Sequence, residues 1–253
     1  MPETAPRRSW VEQVMGLPVS VLARGDGASS AAAEQAVRAV YDELHEVDAV
    51  FSPYREDSEV TRLARGQLAL ADCRDDVREV VRRCREARER TGGLFDAHRP
   101  DGRWDPSGLV KGWAVERAAR HLEAPATDWC LNAGGDVVVL SPSGVPFAVG
   151  IQDPHDGTRV AAVLERTGGG VATSGTAARG AHLYDPRTGA AVRAVASVTV
   201  SGPSLETADV LATAAFVGGG LDLVREWTGY EALLIGSDGG LLSTAGWQGT
   251  LPA

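Results

Sequence analysis

The chain changes character at Trp129-Cys130-Leu131-Asn132-Ala133-Gly134-Gly135-Asp136-Val137-Val138-Val139-Leu140. From this stretch to Ser201, short runs rich in β-branched residues alternate with glycine-containing turns, a pattern that is typical of strands. The predicted strands of this part are Val137–Leu140, Phe147–Ile151, Val160–Leu164 and Ser197–Val200. The second half of the chain is therefore predicted to form a sheet.

Helical periodicity dominates the part of the chain before residue 129. Between residues 30 and 48, Val37, Val40, Leu44 and Val47 are spaced by three, four and three residues, which places them on one face of an amphipathic helix. The other predictions are a weak strand at Pro18–Leu22, a short helix capped by Asp57 or Ser58, a helix carrying Val77–Ala87 that ends at Gly92-Gly93, a loop-like stretch at 94–108, and a helix over Ala114–Leu122. Helices at Leu205–Val217 and Leu221–Trp227, a strand at Ala232–Ile235 and a hairpin at Ser237–Gly240 complete the pattern.

The order of these elements indicates the fold class. Helices that cluster early and strands that cluster late favour an α+β fold with an antiparallel-rich sheet over repeated βαβ units. Residues 1–10 are predicted to be disordered, and residues 11–253 are predicted to form a single domain.

Composition narrows the function. The 253 residues carry 25 Lys and Arg against 34 Asp and Glu, a net charge of −9, and an acidic surface argues against nucleic acid as the main partner. Cys73, Cys84 and Cys130 are too few and too widely spaced for a disulfide framework or a zinc site, so reduced thiols are expected. Met1–Val14 has no apolar signal region and no membrane segment follows, which predicts a cytoplasmic protein as written, or an exported one if the N-terminus was trimmed.

Two segments carry the residues most suited to chemistry. Asp209 and Thr213 are four residues apart on one helix face, and their oxygens suit Mg²⁺, although the same pair is common on ordinary helix surfaces. His182 precedes Asp185 and a Pro/Gly turn, so it is either a proton-transferring group or a histidine satisfied by that turn.

Two glycine-containing segments are candidate ligand contacts. Asp105–Trp113 runs from a loop into a helix and carries Lys111, which suits an anion or is simply an exposed lysine. Asn132–Asp136 brings Gly134 and Gly135 between β-like runs, where they allow close approach of a ligand or form a plain turn. The chain has no G-x-G-x-x-G after a strand and no G-x-S-x-G, which argues against a Rossmann nucleotide site and a serine hydrolase.

Taken in order, these segments resemble the ApbE family, the FAD:protein FMN transferases. The matching stretches are Met15-Gly16, Ser52–Glu59, Gly93–Asp96, Gly108–Val115, Asn132–Asp136, Ala172–Gly175, His182–Gly189 and Glu206–Thr213. The resemblance implies an ApbE-like fold with the FAD site between the two subregions. It also implies Mg²⁺ and FAD, and a target flavoprotein whose threonine hydroxyl receives FMN while AMP is released.

The resemblance also implies roles for individual residues. Asp209 and Thr213 match side-chain magnesium ligands, Val110 matches the position whose backbone carbonyl completes the metal site, and His182 matches the proposed base. Positions that line the FAD site, together with the glycine-loop residues above, are Met15, Tyr54, Leu94, Phe95, Asp96, Ser107, Lys111, Trp113, Gly134, Gly135, Asp136 and Leu183.

Two alternatives use the same residues: an FAD pyrophosphatase that gives FMN and AMP, and a flavin-binding protein without turnover. The stretch between Phe95 and Gly108 is much shorter than is common in the family, which predicts a more open site that admits water. The sequence does not specify the acceptor protein or an oligomeric state.

Overall fold

The computed structural model describes residues 5–99, 102–123, 127–176 and 184–250, and the predicted α+β class is confirmed. The strands are β1 (Arg7–Val14), β2 (Leu17–Arg24), β3 (Asp128–Ala133), β4 (Asp136–Leu140), β5 (Phe147–Gln152), β6 (Val160–Arg166), β7 (Gly168–Gly175), β8 (Val195–Gly202), β9 (Glu231–Gly236) and β10 (Leu241–Ser243). The helices are α1 (Ala31–Phe51), α2 (Glu59–Ala64), α3 (Asp75–Arg90), α4 (Ser107–Ala119), α5 (Leu205–Gly218) and α6 (Asp222–Arg225).

Eight strands form one sheet in the order β1-β2-β3-β4-β7-β8-β9-β10, and β5 and β6 pair separately as a hairpin. Every strand pairing in the described residues is antiparallel. The predicted hairpin at Ser237–Gly240 is confirmed, because it joins β9 to β10.

The alternation of β4 shows how the sheet is covered on both faces. Val138 belongs to the main core beneath the helices, whereas Val137 and Val139 pack with Phe147 and Val149 of the β5–β6 hairpin. Successive side chains of a strand point to opposite faces, so one strand serves both cores. The structure therefore has three layers: helices, the eight-stranded sheet, and the small hairpin.

Glycine at two positions lets α5 lie unusually close to its neighbours. A Cβ at Gly170 of β7 would lie 2.5 Å from the Cα of Leu205, at the start of α5. A Cβ at Gly112 of α4 would lie 3.0 Å from the Cβ of Asp209. Helix α5 therefore packs closely against both β7 and α4, and Asp209 lies at its contact with α4.

Three sequence predictions are corrected. Residues 1–10 were predicted to be disordered, but Arg7–Val14 form edge strand β1, in which exposed and half-buried side chains alternate and give only a weak apolar signal. Strand β7 was not predicted, because it begins with three glycines, which are depleted in strands. The loop-like stretch at 94–108 contains an antiparallel bridge between His98 and Trp104, and α4 begins within it at Ser107.

The predictions of a helix cap and of reduced cysteines hold. Ser58 caps α2 by accepting a hydrogen bond from the Thr61 N–H, and Cys73, Cys84 and Cys130 are free. Within the described parts of the chain, no helix has both the length and the apolar character needed to span a membrane. The organisation of the chain as a single domain stays a prediction.

Candidate active site

Helix α5 supplies the pair predicted from sequence. Ser204 caps the helix by accepting from the Thr207 N–H, and Gly219 ends it in the left-handed region at φ 70°. Nearly every side chain between them is buried, because α5 packs on the sheet and on α4. Asp209 is buried on this helix, and Thr213, one turn further on, is half-buried.

Asp209 is buried, with 3% of its surface exposed, and has two polar neighbours on α4. The Gly112 N–H donates to its Oδ2 at 3.2 Å, and the Lys111 Nζ lies 3.9 Å from its Oδ1. Burial raises the pKa of Asp209 to about 8, with a further contribution from Asp136, while Lys111 acts in the opposite direction. An additional cation beside Asp209 would therefore stabilise its ionised form.

The Lys111 ammonium lies between two buried acids. Its Nζ is 2.7 Å from the Oδ2 of Asp136, which is 1% exposed at the start of β4. The turn that precedes Asp136 needs positive φ at Gly134 and Gly135, 59° and 100°, and this conformation favours glycine. The glycine-rich turn therefore sets the position of an acid.

Thr213 is held by strand β7. Its Oγ1 lies 2.9 Å from the Oγ of Ser174, within hydrogen-bond distance. Ser174 is buried, at 9% exposed, and either hydroxyl can be the donor of this hydrogen bond. The contact links α5 to β7 at the cavity wall.

A cavity of about 280 Å³ opens beside these groups. Its lining residues are Leu17, Leu94, Phe95, Asp96, Arg99, Asp105, Ser107, Gly108, Lys111, Gly134, Thr173, Ser174, Gly175, Tyr184, Pro186, Asp209, Thr213 and Val217. Eight of them were predicted from the sequence as site residues, so residues from α4, α5 and two turns do converge on one place.

Three residues predicted to contact FAD do not line this cavity. Trp113 is in the core against Phe51, with ring centroids 5.3 Å apart, because it is two residues from Lys111 and so on the other side of α4. Tyr54 is 90% exposed on the loop after α1 and does not line the cavity. Met15 occupies the β1–β2 turn with φ 56° and is also absent from the lining.

The remaining predicted residues divide into three groups. Gly135 and Asp136 do not line the cavity, although Asp136 contacts Lys111. Val110 is buried on α4, two residues before the Gly112 amide that binds Asp209. His182 and Leu183 lie outside the described residues.

Sequence reasoning missed the cavity-lining role of β7 and of the segment before α4. Thr173, Ser174 and Gly175 lay in a stretch that was matched to the family but given no role. The Asp105 N–H donates to the Ala97 carbonyl at 2.7 Å, and the guanidinium of Arg99 lies 3.1 Å from the Asp105 carboxylate. The short segment is thus a tight hairpin with an ion pair facing the cavity.

The donors fit a hard cation better than a soft one. Asp209 and Thr213 offer oxygen only, which is the ligand type of Mg²⁺. In the described residues no group of three or more His, Cys, Asp or Glu is suited to a metal ion. Two buried carboxylates share one ammonium, so a second positive charge beside them would balance the charge of the cluster.

Fold and site together define an α+β protein with a polar ligand pocket built over a buried carboxylate–ammonium cluster, where two helices meet a sheet. The chain belongs to the ApbE family, whose sequence profile matches residues 15–99 and 97–234. The family resemblance drawn from the sequence is confirmed.

Curated relatives carry the name FAD:protein FMN transferase. The protein of Rhodobacter capsulatus is 35% identical over 176 residues, which cover 64% of this chain and 34% of the relative. That of Vibrio cholerae serotype O1 is 34% identical over 128 residues, covering 46% and 38%. The chain therefore matches less than half the length of these relatives.

Solved structures share the fold along nearly the whole chain. The ApbE protein of Thermotoga maritima superposes with a TM-score of 0.83 at 20% identity, covering 95% of this chain and 97% of the other. The flavin transferase ApbE of Vibrio cholerae gives a TM-score of 0.78 at 23% identity, with the same coverage.

Proposed function

We propose that the protein is a Mg²⁺-dependent FAD:protein FMN transferase. It moves the FMN half of FAD to a threonine hydroxyl of a target flavoprotein and releases AMP. The observation that carries the proposal is the convergence of Asp209, Thr213 and Lys111 on one cavity, where oxygen donors and an ammonium suit a diphosphate. The names of the relatives support flavin as the substrate class.

The proposed reaction breaks the phosphoanhydride bond between the two halves of FAD and forms a phosphoester bond to the threonine. The threonine oxygen attacks the phosphorus of the FMN half, a new P–O bond forms, and the bond to the AMP phosphate breaks. The hydroxyl proton leaves to a base, for which the family resemblance suggests His182, and AMP takes the electron pair of the broken bond.

The chain's own residues have distinct tasks in this scheme. Asp209, Thr213 and the Val110 carbonyl hold Mg²⁺, which when bound neutralises charge that develops on the departing AMP. Lys111 adds a fixed positive charge on the same side of the cavity. A cavity of about 280 Å³ encloses only part of a ligand as large as FAD, so the rest lies toward the open mouth.

The test is one incubation with FAD and Mg²⁺, with and without a flavoprotein domain that carries an acceptor threonine. We expect AMP release together with a mass gain on the acceptor equal to FMN, and loss of both when the metal is chelated. AMP release without any mass gain would refute transfer, and FAD binding without AMP release would leave a flavin-binding protein.

A second activity is proposed for the same site, with water as the nucleophile. The stretch between Phe95 and Gly108 is short, and Arg99, which lines the cavity, is half exposed, with 47% of its side chain accessible. An open mouth admits water, which closed transferases exclude. We expect equal amounts of FMN and AMP in the absence of acceptor, and transfer to dominate once acceptor is titrated in, because a docked hydroxyl gains a high effective molarity. Zero AMP release without acceptor would refute the open site.

A further inference from the structure

Asp136 combines deep burial with a contact to a cavity residue. Its carboxylate is 1% exposed and does not reach the cavity, so it cannot touch a ligand there. The Lys111 side chain is 22% exposed and does line the cavity. The 2.7 Å ion pair between them joins an inaccessible acid to an accessible cation.

The pair restricts a side chain that is otherwise mobile. Lysine has a flexible four-carbon side chain and loses about 2 kcal/mol of rotamer entropy when it is fixed. The Lys111 Nζ is held 2.7 Å from the Asp136 carboxylate and 3.9 Å from that of Asp209. The ammonium thus has a fixed place in the cavity wall.

We propose that Asp136 is a positioning residue, which holds the Lys111 ammonium beside Asp209 so that it meets the diphosphate of the bound nucleotide. The inference rests on the proposed function, because it takes FAD as the ligand. Toward the ligand, Asp136 acts through Lys111: it fixes the ammonium before the ligand arrives, and the ligand does not have to order it. The glycine turn at 134–135 serves this placement, because it leads into β4 at Asp136, beside the Lys111 ammonium.

A purely structural role for Asp136 has a different signature. The Thr173 N–H donates to Asp136 Oδ1 at a long 3.4 Å, so the acid also links β4 to β7. Loss of that link would weaken folding and would lower the affinity for any ligand. Loss of the Lys111 anchor would affect only ligands that carry the diphosphate, and only while Lys111 is present.

The experiment measures dissociation constants of FAD and of riboflavin, which lacks phosphate, in EDTA. It uses the full chain, with the variants Asp136→Asn, Lys111→Met and the double variant. We expect Asp136→Asn to weaken FAD binding about 10- to 100-fold, as for the loss of a charge-assisted hydrogen bond. Riboflavin affinity should stay within about twofold, and the double variant should bind FAD no more weakly than Lys111→Met alone.

Asp128→Asn is the matched control. Asp128 is also a buried sheet carboxylate, 5% exposed, and pairs with Arg24 at 3.0 Å away from the cavity. This variant should lose thermal stability but keep wild-type FAD affinity. A ligand-free readout is the NMR signal of the Lys111 ammonium, which slow exchange should reveal in the wild type and in Asp128→Asn but not in Asp136→Asn.

The outcomes separate this inference from the proposed function. Wild-type FAD affinity in Asp136→Asn, additive losses in the double variant, or an equal loss for riboflavin would overturn the positioning role, even if the wild type releases AMP. The expected pattern in a protein that binds FAD but releases no AMP would leave the positioning role intact and overturn the transferase. A wild type that binds no FAD would overturn both.

Discussion

Gly112→Ala tests whether the close contact between α4 and α5 sets the geometry of the site. The added Cβ would lie 3.0 Å from the Asp209 Cβ, 3.0 Å from the Glu206 Cα and 3.1 Å from the Leu205 carbonyl oxygen. Ordinary contacts begin at 3.4 Å, and two of these three atoms are backbone, which cannot rotate away. The helices must therefore separate by roughly 0.4 Å, and Asp209 moves with α5.

The energetic effect has two opposing parts. Overpacking of this kind costs about 1–3 kcal/mol, while replacing glycine by alanine inside a helix gains about 1 kcal/mol. We expect a net loss of about 0–2 kcal/mol in the free energy of unfolding, together with a higher Mg²⁺ concentration for half-maximal AMP release. The hydrogen bond from the Gly112 N–H to Asp209 lengthens in the same shift.

Gly108→Ala is the matched control on the same helix. A Cβ there would meet only the Phe95 ring, at 3.3 Å, which is a side chain and not backbone. This variant should keep its stability or gain up to about 1 kcal/mol. Urea unfolding and Mg²⁺ titration of AMP release measure both effects. If Gly112→Ala matches Gly108→Ala in stability and in its Mg²⁺ requirement, the close contact does not set the site.

Three further predictions concern individual groups. Asp209→Ala should abolish Mg²⁺-dependent AMP release while weak FAD binding survives, because Asp209 is the one charged ligand assigned to the metal; unchanged release would remove that assignment. His182→Ala should slow transfer by roughly 10²–10⁴-fold with FAD affinity nearly intact if it is the general base, whereas lost affinity with normal turnover would make it a pocket residue. Burial raises the pKa of Asp209 to about 8, so between about pH 4 and pH 8 the folded state binds a proton that the unfolded state has released. The metal-free protein should therefore lose stability as pH rises from about 4 to about 8. The Tm of Asp209→Asn should lack that part of the decline, and parallel Tm–pH curves for the two proteins would contradict the shifted pKa.

Local patterns were sufficient to predict the helices and one part of the site. The spacing of Val37, Val40 and Leu44 predicted α1, and these residues are buried. The four-residue spacing of Asp209 and Thr213 predicted a shared face, and both line the cavity. Such predictions succeed because an α-helix fixes the relation between neighbours three or four residues apart, whatever packs against it.

Contacts between distant segments could not be predicted in this way. Lys111 and Asp136 are 25 residues apart, and their pairing depends on how α4 crosses the end of β4. Strand β7 was not predicted because it begins with three glycines, of which Gly170 allows the close approach of α5 and Gly169 that of the Gly202 carbonyl in β8. Trp113 was assigned to the ligand by resemblance, yet the direction of Lys111 on α4 already turns it toward α1.

The cluster beside the cavity is explained better by a ligand than by folding. With both carboxylates ionised, Asp209, Asp136 and Lys111 sum to a net charge of −1 in a buried place, which is unfavourable for the protein alone. At neutral pH the metal-free protein relieves this by holding a proton on Asp209, as its raised pKa indicates. A divalent cation bound there would displace that proton and supply the missing charge, so cation binding and proton release should be coupled. Groups that weaken the isolated fold and become satisfied only with a ligand are typical of functional sites.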